Sequence, residues 1–176
     1  MDILGLSLEY AISLGCDAVA VHVNMTSPTE GEMLQTLANV SCECQKFGMP
    51  LMAIIYIRKP GDDGKDDNYL LMKQNENDKY TNLVSHACRV AVELGADIIK
   101  TNFTGSVDSF HHVIYAAGNV PVVIAGGEQV EENVALENIR QAMQAGASGI
   151  CFGRNFFYRK DVKVFSQKVR AIINEY

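Results

Sequence analysis

The stretch Leu94-Gly95-Ala96-Asp97-Ile98-Ile99-Lys100-Thr101-Asn102 joins the end of a predicted helix to a short apolar strand that ends in a lysine. Glycine is favoured directly after a helix, because the residue at that position commonly takes a positive φ. The same joint occurs three more times, at Leu14–Asp17, Phe47–Pro50 and Ala145–Ser148. This repeat predicts strands that alternate with helices, which is typical of a parallel sheet with right-handed crossovers.

Five apolar runs of strand length are bounded by Gly, Pro or Asn, as strands commonly are. The predicted strands are Ala18–Val23, Leu51–Tyr56, Asp97–Thr101, Pro121–Ala125 and Ser148–Phe152. Apolar residues at helical spacing predict helices at Pro28–Phe47, Asn82–Leu94, Val107–Ala117, Asn133–Ala145 and Asp161–Asn174. The polar segment Lys59–Lys79 interrupts the alternation, and we expect a long loop there, either a lid or a mere insertion, with one short packed turn at Tyr69–Met72.

The first predicted strand has two chemically different faces. One face carries Val19, Val21 and Val23, and the other carries Ala20, His22 and Asn24. Branched apolar residues suit a face that helices cover, whereas small and polar residues suit the interior of a barrel near its mouth. An open doubly wound sheet is the alternative, although no glycine-rich dinucleotide fingerprint opens any of the helices.

The composition limits the classes of protein to be considered. The 176 residues fit one domain, and a net charge of −6 argues against nucleic acid as a partner. No apolar run approaches the length of a membrane span, and the N-terminus lacks the pattern of a leader, so we expect a cytoplasmic protein. The five cysteines lack the spacing of a disulfide framework or a metal site, and we expect most of them to be buried.

Residues with chemical functions stand at the C-terminal ends of all five predicted strands, where parallel α/β folds bind their substrates. In chain order these residues are Asn24, Tyr56, Lys100 with Thr101, Gly126 with Gly127, and Gly153 with Arg154 and Asn155. Each has an ordinary structural explanation, such as a capping amide, a turn glycine or a surface charge. Their joint occurrence favours a single site, for which His22 and Asn102 are further candidate pocket residues.

These residue types suit carbonyl chemistry on a phosphorylated substrate. A poorly hydrated lysine can lose its proton and attack a ketone, and the resulting iminium ion lets an adjacent carbon–carbon bond break or form. Tyr56, on the neighbouring strand, could transfer the proton that this step needs, or orient a carboxylate that transfers it. Glycine lets backbone N–H groups approach an anion and arginine matches phosphate oxygens, so a phosphate site is predicted at Gly126, Gly127, Gly153 and Arg154.

Five segments of the chain resemble the archaeal-type class I aldolases, a group related to deoxyribose-phosphate aldolase. The segments are Ala18–Asn24, Gly48–Tyr56, Gly95–Gly105, Pro121–Gly127 and Phe152–Asn155. The resemblance implies a TIM-type (β/α)8 barrel, Lys100 as the Schiff-base lysine, Tyr56 as the acid–base tyrosine, and the same four phosphate-binding residues. It also implies that no metal and no cofactor take part. Within the group, the segments around Tyr56 and Lys100 are most similar to those of aminodideoxyheptulosonate synthase. The insertion at Lys59–Lys79 is unlike the corresponding part of that enzyme.

The five strands correspond to the last five of the eight in that barrel, and Met1–Leu14 corresponds to the helix before the fourth strand, which makes it the first predicted helix of this chain. We therefore expect one partial barrel domain over residues 1–176. An aspartate that the family places at the end of its first strand has no counterpart here. Five strands leave two sheet edges unpaired. We therefore expect a homo-oligomer, a second chain that supplies the segment, or a truncated protein.

The expected function is that of a class I aldolase acting on a phosphorylated keto-sugar, as in fructose-bisphosphate aldolase. The alternatives are a transaldolase of the aminodideoxyheptulosonate synthase type, an autoinducer-2-phosphate thiolase, and a non-catalytic barrel fragment that binds phosphorylated metabolites. A pyridoxal-phosphate enzyme is a further alternative, because that cofactor also combines a lysine with a phosphate site.

Overall fold

The computed structural model describes residues 7–58 and 69–176 of the chain. In this part the strands are β1 (Val19–Met25), β2 (Leu51–Ile57), β3 (Ile98–Asn102), β4 (Val122–Ala125) and β5 (Gly149–Cys151). The helices are α1 (Leu8–Ser13), α2 (Glu30–Phe47), α3 (Tyr69–Asn75), α4 (Asn77–Glu93), α5 (Val107–Ala117), α6 (Glu132–Gln144), α7 (Arg154–Phe157) and α8 (Val162–Ile173).

The strands form one parallel sheet in the order β1-β2-β3-β4-β5, so each strand pairs with its neighbours in the sequence. Parallel crossovers are right-handed, and every crossover here moves one place in the same direction, so the connecting helices lie on one side of the sheet. A doubly wound sheet reverses its strand order at a switch point, and this sheet does not. The topology is that of a (β/α)8-type barrel wall, and the open doubly wound alternative is wrong.

Burial alternates along the strands and separates the helix-covered side of the sheet from an inner side. Val23, Leu51, Ile55 and Ile99 face the helices and are completely buried. Each such side chain contributes about 1.5–3 kcal/mol to the free energy of unfolding. The residues between them, on the inner side, are half-buried or exposed. The prediction that the valines of β1 and the small or polar residues between them occupy opposite faces is therefore confirmed.

The predicted glycine joints also form as expected. Gly15, Gly48, Gly95 and Gly146 have φ values of 75°, 64°, 86° and 102°, which favour glycine. Gly95 has a second reason to lack a side chain, because a Cβ there would overlap the hydroxyl of Ser41 on α2. The turn that leads into β3 is thus fixed by both backbone conformation and packing against a neighbouring helix.

The loop predicted over Lys59–Lys79 requires correction. Tyr69–Asn75 forms α3, and α4 begins at Asn77 rather than at Asn82. The composition of this stretch is polar, but Met72 is only 9% exposed, and Tyr80, which follows directly after the stretch, is completely buried. Because Met72 and Tyr80 pack into the core, most of the stretch from residue 69 to 80 is helical where the composition predicts a loop. Residues 59–68 of the predicted loop lie outside the described residues, as do residues 1–6 of the first predicted helix.

The expectation that most cysteines are buried is wrong. Cys44 and Cys88 are buried, whereas Cys16, Cys42 and Cys151 are exposed. Burial raises the pKa of the Cys88 thiol to about 12, so this side chain is an inert part of the core. Cys151 is exposed because it ends β5 on the inner side of the sheet, in register with Ala125.

Candidate active site

Lys100 lies on the inner side of β3, in register with Ile54 of β2 and Val123 of β4. The pairing of β2 with β3 ends at this position, although both strands continue beyond it. One residue further on, the buried Thr101 hydroxyl donates a hydrogen bond of 2.9 Å to the carbonyl oxygen of Ile55. The Thr101 side chain thus joins the two strands directly beyond Lys100, where the backbone pairing has ended.

Tyr56 lies on the inner side of β2 and is in register with Asn24 of β1. It is two residues beyond Ile54, the register partner of Lys100 on the same strand. Burial raises the pKa of Tyr56, and the positive charges of Lys100 and Arg58 oppose this only in part. The Arg58 guanidinium lies 5.2 Å from the centroid of the Tyr56 ring. The result is a neutral phenol beside the Lys100 side chain and the Arg58 guanidinium, whose positive charges stabilise the phenolate once a proton has left.

The end of β1 contributes two polar side chains to the same side. His22 Nε2 lies 2.8 Å from Oδ1 of Asn24, and the His22 ring meets the Tyr56 ring edge-on with centroids 5.3 Å apart. An amide oxygen accepts hydrogen bonds, so Nε2 carries the imidazole proton. Asn102 ends β3 in register with Ala125 and is half-buried. The structure therefore brings His22, Asn24 and Tyr56 together and puts Asn102 on the adjacent strand.

The segment after β4, here called the β4 loop (Gly126–Val130), packs against the segment after β5. A Cβ on Gly126 would lie 2.8 Å from Cγ of Phe152, so only glycine fits there. Gly127 has φ 60°, which also favours glycine. Gly153 precedes α7, and a Cβ on it would meet no atom within 4 Å.

Arg154 opens α7, and its Nη1 lies 3.4 Å from Oε1 of Glu128 in the β4 loop. Both side chains are largely exposed, at 51% and 79%. Such a pair contributes at most about 1 kcal/mol, so a phosphate can readily replace the carboxylate as the partner of Arg154.

The spacing between the lysine and the β4 loop suits a small phosphorylated ligand. Gly126 is three residues beyond Val123, the register partner of Lys100, which corresponds to about 10 Å along a strand. A lysine side chain and a three-carbon ketone phosphate together span a distance of this order. All the residues predicted for the site thus lie on the inner side of the sheet or in the loops at the C-terminal ends of its strands.

A second partly buried lysine lies near the same end of the sheet. Lys73 of α3 donates a hydrogen bond of 2.7 Å to the carbonyl oxygen of Phe103, and burial lowers its pKa. It borders a polar cavity of about 460 Å³ that is also lined by Gln74, Asn77, Thr104, Gly105 and Ser106. Neither Lys100 nor Tyr56 lines this cavity. Lys73 is thus the competing candidate for an amine nucleophile.

Sequence reasoning placed Asn155 at the end of the fifth strand but assigned it no role in the site. In the structure Asn155 is 1% exposed and contacts the β4 loop. In the sequence, only the amide directly after Arg154 pointed to such a role. It was not decisive, because polar residues at the start of a helix commonly face solvent. Among residues 7–58 and 69–176, no three or more His, Cys, Asp or Glu side chains are arranged to hold a metal ion. Within the same two ranges, no helix has the length and apolarity required to cross a membrane.

Two glycine substitutions should separate folding from ligand binding. Gly126→Ala should lower the free energy of unfolding by about 1–3 kcal/mol, because its methyl group overlaps Phe152. Gly153→Ala should leave the free energy of unfolding nearly unchanged, because its methyl group enters open space. It should weaken phosphate binding, because the proposed site places the anion in that space. Urea unfolding and phosphate titration of both variants measure the two effects. Equal stability of the two variants would contradict the packing argument.

Comparison with known proteins gives consistent matches over most of the chain. A family model described as DeoC/LacD family aldolase matches residues 2–159. The chain is 35% identical over 169 residues to 2-amino-3,7-dideoxy-D-threo-hept-6-ulosonate synthase of Halobacterium salinarum, and the match covers 96% of this chain and 58% of the synthase. It is 32% identical over 174 residues to fructose-bisphosphate aldolase class 1 of Thermoproteus tenax, covering 98% of this chain and 61% of the aldolase. The chain therefore spans about three fifths of the length of these curated relatives.

A solved structure agrees with the sequence matches. An archaeal fructose-1,6-bisphosphate aldolase, with its catalytic lysine covalently bound to the carbinolamine intermediate of the substrate, superposes with a TM-score of 0.82. The two sequences are 30% identical, and the match covers 96% of this chain and 62% of that one. The prediction of a barrel-type parallel α/β fold is thereby confirmed.

Proposed function

The chain belongs to the DeoC/LacD family of aldolases, and on that premise we propose that it is a Schiff-base-forming class I aldolase acting on a phosphorylated keto-sugar. The observation that carries the proposal is the position of Lys100 on the inner side of β3, beside a neutral Tyr56 and on the same face as the site's other polar residues. An amine nucleophile and a proton donor on adjacent strands are the two groups that imine chemistry needs.

The proposed reaction uses this chain's own side chains throughout. The Lys100 amine adds to the ketone carbon, and loss of water from the carbinolamine gives an iminium ion. Tyr56 gives its proton to the departing water and then accepts the hydroxyl proton of the fragment that leaves. When the adjacent carbon–carbon bond breaks, that fragment leaves as an aldehyde and the electron pair of the bond forms an enamine. Protonation of the enamine carbon restores an iminium ion. In the bond-forming direction the enamine attacks an aldehyde, and the Tyr56 hydroxyl donates its proton to the aldehyde oxygen. Water then hydrolyses the iminium and releases Lys100.

The substrate we propose carries a phosphate group bound by Gly126, Gly127, Gly153 and Arg154. This assignment is supported by the open space at Gly153 and by the exposed, weakly paired guanidinium of Arg154. Fructose 1,6-bisphosphate is the first candidate, because two of the similar proteins are named for it. Synthesis of an aminodideoxyheptulosonate is the second candidate, and the identity to the halobacterial synthase favours it.

We also propose that the chain is a cytoplasmic protein that self-associates. Within the described residues β1 pairs only with β2 and β5 only with β4, so each has an edge without a strand partner there. Exposed strand edges favour association with further strands. Light scattering of the purified chain tests this, and a monomeric mass at all concentrations would contradict it.

The function is tested by a cleavage assay with a panel of phosphorylated ketoses, with and without EDTA. We expect release of a triose phosphate at a rate that EDTA does not change, because the lysine supplies the electron sink. No turnover of any ketose phosphate by a folded sample would contradict the proposal. Loss of activity in EDTA with recovery on adding a divalent metal would contradict the lysine mechanism.

A further inference from the structure

We propose that Asn155 is a positioning residue that holds the β4 loop in the shape that binds the substrate phosphate. This inference rests on the proposed function, because it assigns a role at the same site. Asn155 is 1% exposed and lies in the short helix α7 directly after Arg154. A buried amide must have its donors and acceptor satisfied, and the contacts of Asn155 do so entirely through the chain around this loop.

One side chain holds three residues of the β4 loop. Asn155 Nδ2 donates to the carbonyl oxygens of Gly126 at 2.7 Å and Glu128 at 2.8 Å. Its Oδ1 accepts a hydrogen bond of 3.1 Å from the backbone N–H of Val130. Outside helices and strands, no backbone–backbone hydrogen bond of the described residues involves residues 126–130. Asn155 therefore supplies fixed contacts that the loop backbone does not make with itself.

Arg159 holds this anchor in place. Its Nε donates to the Asn155 carbonyl oxygen at 3.1 Å, and its Nη2 donates to the Val130 carbonyl oxygen at 2.8 Å. The guanidinium also stacks over the Phe165 ring of α8, 4.6 Å from its centroid. Arg159 thus ties the Asn155 backbone to the last residue of the loop, and the Asn155 amide contacts Gly126 and Glu128 from this fixed position.

The orientation of the loop peptides follows from these contacts. In a trans peptide the C=O and the following N–H point in opposite directions. Since the Gly126 and Glu128 carbonyls are directed at Asn155, the N–H groups of Gly127 and Gln129 are directed away from it. A Cβ on Gly127 would meet no atom within 4 Å, so the space beside this residue is open. The Gly127 N–H is then available to an anion. Asn155 contacts no ligand itself and acts through these peptides.

The test replaces Asn155 by aspartate, which has the same shape but no donors. In Asn155→Asp a carboxylate faces the Gly126 and Glu128 carbonyls, and the loop should turn these peptides away. The matched control is Asn77→Asp, because Asn77 Nδ2 likewise donates to a loop carbonyl, that of Thr104, at 2.8 Å. Calorimetric titration with inorganic phosphate should give an affinity roughly 10- to 100-fold weaker for Asn155→Asp, and an unchanged affinity for Asn77→Asp.

A second measurement separates this inference from the proposed function. Borohydride trapping of unphosphorylated dihydroxyacetone at Lys100 should be equal in the wild type and Asn155→Asp, because the loop contacts only the phosphate. Wild-type phosphate affinity in Asn155→Asp, or a folded wild type that binds no phosphate, would overturn the inference. If Asn155→Asp loses dihydroxyacetone trapping as much as it loses phosphate affinity, the inference is also overturned, since such a loss indicates that the whole site is disrupted. A wild type that binds phosphate but traps no ketone contradicts the aldolase, and the titration still decides the role of Asn155.

Discussion

Replacing Lys100 by methionine is expected to abolish aldol turnover, a loss of roughly 10⁵-fold or more, while the chain remains folded. Methionine fills a similar volume but has no amine, so the imine cannot form and no other group provides the electron sink. Lys100 lies on the half-exposed inner side of β3, so its removal leaves the buried side of the sheet intact. Steady-state rates and the unfolding midpoint of Lys100→Met measure the two effects.

The matched control for this experiment is Lys73→Met. Among the described residues, Lys73 is a second candidate for attack because burial lowers its pKa, but its Nζ donates to the Phe103 carbonyl. We expect Lys73→Met to retain turnover, although it loses one hydrogen bond and some stability. Retained turnover in Lys100→Met together with loss in Lys73→Met would transfer the nucleophile to α3 and contradict the account.

Replacing Tyr56 by phenylalanine is expected to lower turnover by about 10²- to 10⁴-fold. Phenylalanine keeps the ring that packs against His22 but removes the hydroxyl that moves the proton. Imine formation at Lys100 should persist, so a phosphorylated ketone should still be trapped by borohydride. Measurement of both turnover and trapping in Tyr56→Phe therefore separates proton transfer from nucleophilic attack.

The pH dependence of turnover provides a second test of proton donation by Tyr56. Burial raises its pKa, so the hydroxyl stays protonated as the pH rises through the ordinary range of tyrosine, and proton donation should fail only above it. In the variant this alkaline limb should disappear. Tyr115→Phe is the control, because Tyr115 is 83% exposed on α5 and should change neither rate nor profile. Full turnover in Tyr56→Phe would remove Tyr56 from the mechanism.

The alternation of strands and helices could be predicted because it depends on local sequence. Helix α5 has the predicted bounds Val107–Ala117, and the four joint glycines have the predicted positive φ. The start of α4 was missed because Asn77–Thr81 is polar, and the helix there depends on burial of Tyr80 against other elements. Such burial is a tertiary effect that periodicity within the segment does not reveal.

The candidate site could be predicted in part for a related reason. Parallel topology alone brings the C-terminal ends of the strands to one end of the sheet, which was sufficient to group Tyr56, Lys100 and Arg154. The role of Asn155 could not be predicted because its contacts reach up to 29 residues back, to Gly126. The exposure of Cys151 was missed because composition does not indicate which side of a strand a cysteine occupies.

The most direct test of the account is borohydride reduction of the chain in the presence of dihydroxyacetone phosphate, followed by peptide mapping. We predict one added ketone-derived group, located on Lys100. Inorganic phosphate should compete with its formation, because the two ligands share the anion site. An adduct located on Lys73 or another lysine of a folded sample, with Lys100 unmodified, would contradict the central claim.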